Sequence, residues 1–463
     1  MTFSSLFDLF KRYAVLGIVV AAVLCLLWLF AYQVVYKKLC KGKKTVPLWK
    51  QAMWVVFICY LTVIAGAVFL DRGGHGYAQR QVLNAVPFTL FREAWHSFGA
   101  VVWRNFILNI AAFIPLGILL PLLSEKLRRL WKTVGIGCAF TLAIESLQYI
   151  TGRGQASTDD VLTNTWGVLI GYGLFMAFMA VKSKTSRKPL KALGYISPVL
   201  SSFLAAAAVL MVYQAQALGN LSEGFYIKQN MRGVELTCEI ELSEVTPTTH
   251  IYRIDSFDKA RSREFAEAFF ARIGTSFQSE REPVYYDESA FYYSDFGILH
   301  VEYQGKTYGY TDFSSEADAD LSMNEAQVRL ALSEWHGIEI PENAGFINQG
   351  DGSYTFEVSV ENGQGQTGSF ACTILSDGII SSIDCQLLEL TDAAEYEAIS
   401  PATAYKRIVE GKLNYRGYFG KLGSLEIMSM SMDYRIDSKG FFRPVYFFGT
   451  LINGQEYPIA VPA

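Results

Sequence analysis

Residues 105–123, Asn105-Phe-Ile-Leu-Asn-Ile-Ala-Ala-Phe-Ile-Pro-Leu-Gly-Ile-Leu-Leu-Pro-Leu-Leu123, carry no charged group over nineteen positions. As a helix rising 1.5 Å per residue, such a run matches the roughly 30 Å hydrocarbon thickness of a bilayer. Outward from it, comparable apolar runs lie at 13–36 and 52–70 on one side, and at 133–150, 161–181 and 196–213 on the other. The run at 13–36 has no small-residue cleavage site of the secretory kind, so it is expected to be a retained helix. These runs predict a membrane α-helical bundle of about six transmembrane helices over residues 1–215, followed by a soluble α+β extracytoplasmic domain.

The charges divide the chain at the same place. Residues 1–215 hold 22 of the 40 Lys and Arg and 7 of the 44 Asp and Glu, leaving 18 basic and 37 acidic residues for 216–463. The formal balances are therefore +15 and −19. Basic residues of the first part cluster in short loops beside apolar runs, at 37–50, 126–132 and 182–191, which marks those loops as cytoplasmic. Loops 71–104 and 151–158, the N-terminus and everything past Tyr213 then face outward. Lys11 and Arg12 oppose this orientation but are outnumbered by the six lysines at 37–50. Short basic loops of this kind do not form a phosphate-tracking groove, so nucleic acid is not an expected partner.

Beyond Ala215 the text turns to short alternating stretches rich in Tyr, Phe and Val and broken by Asp-Gly and Asn-Gly, as at 296–303, 353–360 and 444–451. Such stretches are strands with one wet face. Between them, 261–273, 324–336 and 401–410 are amphipathic helices, the last opened by Ser400-Pro401. Two subdomains are expected, 216–322 and 323–463. None of the seven cysteines stands in a CxxC or Cys/His metal spacing, and no metal or cofactor is expected. Cys25, Cys59 and Cys138 belong to apolar runs. Cys372 and Cys385 flank the turn Ser376-Asp377-Gly378, so a cross-strand disulfide is compatible with an oxidising compartment, with Cys238 as a competing partner.

Polar residues at membrane depth are costly and are therefore candidates for function. Glu145 and Gln148 lie three apart near the end of one run, and Arg153 follows. Asp159, Asp160 and Asn164 open the next, and Arg104, Asn105 and Asn109 open the run quoted above. The topology brings all nine to one depth near the outer surface. With Leu83-Asn84-Ala85-Val86-Pro87-Phe88, Phe113-Ile-Pro-Leu-Gly117, Ile144-Glu145-Ser-Leu-Gln148 and Asp159-Asp160-Val-Leu-Thr-Asn164-Thr-Trp-Gly167, residues 80–180 resemble the VanZ-like membrane proteins, a family named for teicoplanin resistance. The resemblance implies a membrane fold and an envelope-linked role, and it carries no mechanism with it. Residues 398–463, through Ile399-Ser-Pro-Ala-Thr-Ala-Tyr405, Glu410-Gly-Lys412 and Arg443-Pro-Val-Tyr-Phe447, resemble more weakly the extracytoplasmic regulatory domains of the YycH and YycI type.

Three functions are compatible with these residues. In the first, a non-enzymatic envelope protein binds a membrane lipid or lipid-linked cell-wall precursor through its anionic headgroup, with the soluble domain sensing or contacting wall components. In the second, Glu145 or Asp160 is a general base on a lipid-linked substrate whose phosphate Arg104 and Arg153 hold. In the third, the soluble domain regulates a membrane protein partner, a sensor kinase. No complete set of nucleophile, base and orienting group is present, which weighs against the enzyme. A purely structural network is the fourth alternative, with Glu145 paired to Arg153 or Arg104 and Asp160 capping a helix. His75 and His96 are expected as exposed loop residues.

Overall fold

An apolar run surrounded by lipid must satisfy its own backbone, and the helix is the local way to do so. The computed structural model describes residues 18–20, 22–28, 30–39, 47–66, 83–152, 156–182, 188–278, 280–358, 365–417 and 419–463. In it the runs become α1 (Leu48–Ala65), α3 (Ala100–Leu123), α4 (Leu130–Thr151), α5 (Thr158–Lys182) and α6 (Lys188–Ala215), with a short α2 (Thr89–Ser97) before α3. Among the described residues, five helices are long and apolar enough to cross a membrane. The described parts of 18–30 are also helical and lead into a π-helix at Ala31–Leu39, while 13–17 and 67–70 lie outside the described residues. Two short strands, β1 (Leu83–Asn84) and β2 (Ala156–Ser157), pair in parallel.

Helix α5 is the centre of this unit. Of its apolar window 56% is buried, against 6% for α1 and none for α6. Glycines set how closely its neighbours approach. A Cβ on Gly167 would stand 2.1 Å from the Ile110 carbonyl oxygen, and one on Gly171 would stand 2.0 Å from that of Ile114. From the other side, a Cβ on Gly117 would meet the Val168 carbonyl oxygen at 2.1 Å. Small residues four apart permit this backbone-to-backbone contact in a helix pair that water does not push together. Tyr60 of α1 donates to the Ala112 carbonyl at 2.9 Å, close to Pro115, which lies within the continuous helix α3.

Chain contacts divide the protein into Met1–Ala217 and Leu218–Ala463. In the second unit, β3 (Ile227–Lys228), β4 (Glu235–Cys238) and β5 (Thr248–Ile254) precede α7 (Lys259–Arg272). Four strands, β6 (Val284–Tyr285), β7 (Ser289–Tyr293), β8 (Gly297–Glu302) and β9 (Tyr308–Asp312), lead to α8 (Glu325–His336). Five more, β10 (Gly345–Asn348), β11 (Ser353–Val358), β12 (Gly365–Ile374), β13 (Ile380–Cys385) and β14 (Leu388–Glu397), precede α9 (Pro401–Val409). The chain ends on β15 (Lys412–Leu413), β16 (Ser424–Ile436), β17 (Phe441–Ile452), β18 (Gln455–Glu456) and β19 (Ile459–Pro462). Fifteen of these strands form one sheet along the order β4-β16-β17-β5-β14-β12-β13-β9-β8-β7-β6, with β10 and β11 branching from β12, and β18 and β19 from β17. Side chains start the helices as the sequence suggests: Asp258 accepts from the Arg261 N–H, Ser400 from that of Thr403, and Asn324 and Gln327 close a capping box.

The sheet is continuous, yet it carries two main cores. One joins α7 and α8 to β7 through β13, from Ala266 to Cys385, and the other joins α9 to β16, β17 and β19, from Ala398 to Ala463. The division expected near residue 322 therefore falls inside the first core, because α7 before it and α8 after it cover the same run of strands. The suggested disulfide is also corrected. Cys372 stands opposite Ile383 and Cys385 opposite Phe370, so the two thiols are diagonal, and both are free. Diagonal neighbours lie roughly 7–8 Å apart, their Cβ atoms somewhat less, against about 3.8 Å between Cβ atoms in a disulfide. Both side chains belong to the first core, where burial pushes the Cys372 thiol up to about 12 and raises that of Cys385 as well.

Asp437, in the turn between β16 and β17, is fully buried in its side chain. Its carboxylate accepts from the Gly219 N–H at 2.7 Å and from the Lys439 and Phe441 N–H groups at 2.8 and 3.0 Å, with the Arg443 guanidinium 3.8 Å away. Arg443 in turn donates to the Gly219 carbonyl at 2.9 Å. One charge thereby ties the first residues of the unit to a turn more than two hundred positions later.

Candidate functional site

The polar residues of the helical unit are held by three helices meeting where α4 ends and α5 begins. Glu145 and Gln148, one turn apart on α4, are both buried, at 7% and 2% exposure. Glu145 Oε2 accepts from the Ser157 N–H at 2.9 Å, so the carboxylate of α4 fixes β2. On α5, Asp159 is buried at 3% exposure and reaches away from its own helix. Its Oδ1 accepts from the Phe88 N–H at 2.5 Å and its Oδ2 from the Leu90 N–H at 2.6 Å. Asp159 thus supplies the start of α2 with the acceptor its own N-cap lacks, and it holds Phe88 in a left-handed conformation (φ 62°) that costs a non-glycine residue about 1–2 kcal/mol.

Asp160, half-buried, accepts from Asn109 Nδ2 of α3 at 2.7 Å. Asn164, one turn further along α5, is 6% exposed and donates through Nδ2 to Thr141 Oγ1 of α4 at 2.9 Å. Its Oδ1 is buried with no hydrogen-bond partner among the described residues. Turning the amide over only exchanges the orphan, because the Thr141 hydroxyl is able to donate or accept. Among the described residues one end of the Asn164 amide is therefore without a partner in either orientation, and a buried polar group of this kind calls for an occupant. Gly167, one turn beyond, brings α5 onto α3 and so sets the depth of this amide.

The nine residues singled out in the sequence are not all alike in place. Asn109, Glu145, Asp159, Asp160 and Asn164 each take part in hydrogen bonds where α3, α4 and α5 meet, and Gln148 is buried one turn from Glu145. Arg104 is half-buried near the start of α3, whereas Asn105 is exposed. Arg153 lies outside the described residues, as does His75. His96 differs from expectation: it is a half-buried residue of α2, and burial together with Arg92 pushes its imidazole down. Thr141, Ser157 and the backbone of Phe88 and Leu90 had no mark in the sequence, since a backbone donor leaves no side-chain signature. Trp103, whose indole N–H is buried without a hydrogen-bond partner among the described residues, also escaped notice.

The segment that carries this network, residues 53–179, matches the family model VanZ/LLP1. This part of the chain is VanZ-like. The VanZ-like segment thus contains α3, α4 and nearly all of α5, and every hydrogen bond described for this site. No curated protein matches the chain. Among solved structures, an uncharacterized protein from Eubacterium rectale ATCC 33656, whose crystal structure was determined at 1.45 Å resolution, aligns with 49% of this chain and 86% of its own. Identity is 10% and the TM-score 0.26, values that add nothing to the reading of the VanZ-like segment or of the sheet.

Proposed function

We propose that the protein is an integral membrane protein of the cell envelope whose VanZ-like helices bind the anionic headgroup of a lipid-linked molecule at the network of α3, α4 and α5. The observation that carries this is the buried Asn164 amide, one end of which has no partner among the described residues: turned so that Oδ1 accepts from the Thr141 hydroxyl, it leaves Nδ2 to donate to a headgroup oxygen. In this reading Arg104 and, by its sequence position, Arg153 supply the positive charge, and Asn109, Gln148 and Asn164 orient the polar head. The same reading places the N-terminus and residues 218–463 outside and the three basic loops inside. A cysteine introduced at Ser183 should then resist an impermeant thiol reagent in intact cells, while one introduced at Ser222 should react. Labelling at 183 alone would overturn the orientation.

The headgroup proposal is tested with Glu145→Gln and Asp160→Asn. Each keeps an oxygen for its partner, the Ser157 N–H or Asn109 Nδ2, and loses the charge. Replacing a charged by a neutral hydrogen bond costs roughly 1 kcal/mol, so thermal stability in detergent should fall little. Teicoplanin susceptibility on expression, the readout the family resemblance supplies, should return to that of cells lacking the protein. Variants that lose melting temperature and resistance in proportion would show the network to be scaffold alone.

A further inference from the structure

The sheet of the second unit has a face turned away from α7 and α8. Along β7, β8, β9, β13 and β12 alternate side chains enter the first core, and the intervening ones form two straight rows on the other face. The registers set one row as Phe291, His300, Gly309, Asp384 and Ala371. The other runs Ile298, Thr311, Ser382, Thr373 and Ser353. Between them is an open groove of about 590 Å³, within the range of roughly 300–1,000 Å³ of small-ligand sites.

Gly309 is what the fold alone does not account for. A glycine inside a strand sacrifices backbone entropy and packing, and where there is no bulge it marks close approach by something else. Here the ladder passes through Gly309 in register with both β8 and β13, and its φ is not among the positive values of the chain. A Cβ built on it would touch only the Ile383 carbonyl oxygen, at an ordinary 3.6 Å. Neither packing nor backbone geometry requires glycine at this position. The missing side chain leaves the trough open at its middle.

What lines the trough narrows the ligand. At one end the Phe291 and His300 rings stack with centroids 4.3 Å apart, beside Ile298 and the exposed Phe313. At the other end stand the hydroxyls of Thr311, Thr373, Ser382 and Ser353, with Ser382 Oγ donating to Thr373 Oγ1 at 2.9 Å. Among the described residues no lysine or arginine lines the groove and its one acid is Asp384, and the unit around it holds 37 acidic against 18 basic residues. An anionic ligand is repelled, and a single carboxylate is too few for a polycation. A molecule with flat C–H faces and a rim of hydroxyls, which both donate and accept, satisfies both ends. We infer that the groove binds a neutral oligosaccharide, one pyranose lying over Gly309 between the aromatic end and the hydroxyl end.

The inference is independent of the membrane network, and its test uses the full chain in nanodiscs, free of the glycosidic detergents that would compete. Titration calorimetry with chitotetraose and with cellotetraose should give saturable binding to at least one, with a dissociation constant at or below about 1 mM. Gly309→Leu should weaken it at least tenfold, as should Phe291→Ala. Gly309→Ala should melt no lower than the parent, because the glycine has no structural role. Absence of binding by both sugars would overturn the inference. So would parental affinity in Gly309→Leu, a lower melting temperature in Gly309→Ala, or binding of pentalysine in place of either sugar.

Discussion

Substituting Gly171 by leucine is expected to abolish the packing of α3 on α5 and with it the folded helical unit. The new Cβ alone would lie 2.0 Å from the Ile114 carbonyl oxygen and 3.0 Å from the Gly117 Cα. Both are backbone atoms, which have no rotamer to change, so the helices must separate. Overpacking by side chains alone typically costs 1–3 kcal/mol, and a clash with backbone should exceed that. Gly135→Leu is the paired control, since a Cβ there meets nothing within 4 Å. It replaces an exposed helical glycine by a good helix former, worth up to about 1 kcal/mol in its favour. Detergent-solubilised melting curves should show Gly135→Leu at or above the parent and Gly171→Leu without a cooperative transition. Equal melting temperatures for the two would refute the close-packed seam.

The second large effect is expected at Asp437. Alanine there leaves the Gly219, Lys439 and Phe441 N–H groups without their acceptor and the Arg443 guanidinium without its counter-charge, around a position that is itself buried. Breaking a buried pair by removing one member typically costs 3–5 kcal/mol. Asp433→Ala is the control, because that carboxylate is 56% exposed and its contact with Arg435 is a surface ion pair worth about 0–1 kcal/mol. Hydrogen exchange of the β16 and β17 amides in the full chain measures both. A double variant, Asp437→Leu with Arg443→Met, removes both charges and separates two causes. If the ion pair dominates, protection should return. The distances favour the opposite result, since the backbone donors at 2.7–3.0 Å are closer than the guanidinium at 3.8 Å and would remain unmet.

Much of the helical unit was legible because charge-free runs of span length have few other uses. The polar network was legible in part for a related reason: Glu145, Gln148, Asp160 and Asn164 stand out where apolar residues are expected. What they touch was not. Asp159 serves the backbone of Phe88 and Leu90, about seventy positions away, and α2, only nine residues long although amphipathic, was passed over within a loop. In the second unit the alternating stretches became strands at their expected places, but the pairing partner of a strand depends on register. A shift of two residues is enough to turn Cys372 and Cys385 from an opposed pair into a diagonal one. The continuous ladder likewise removed the boundary near residue 322, because helices on either side of that position share one set of strands.

The parallel pairing of β1 with β2, and the bonds of Asp159 that accompany it, also bear on the order of assembly. Leu83 and Asn84 leave the ribosome long before Ala156 and Ser157, and α2, α3 and α4 come between them. Closing so long a loop has an entropic cost that local helix formation does not. Until α5 emerges, Phe88 has no anion to hold its left-handed backbone and Glu145 has no Ser157 N–H to receive. The helices therefore precede the polar end that joins them, and a chain stalled before residue 159 holds the hydrophobic part of the unit without its latch.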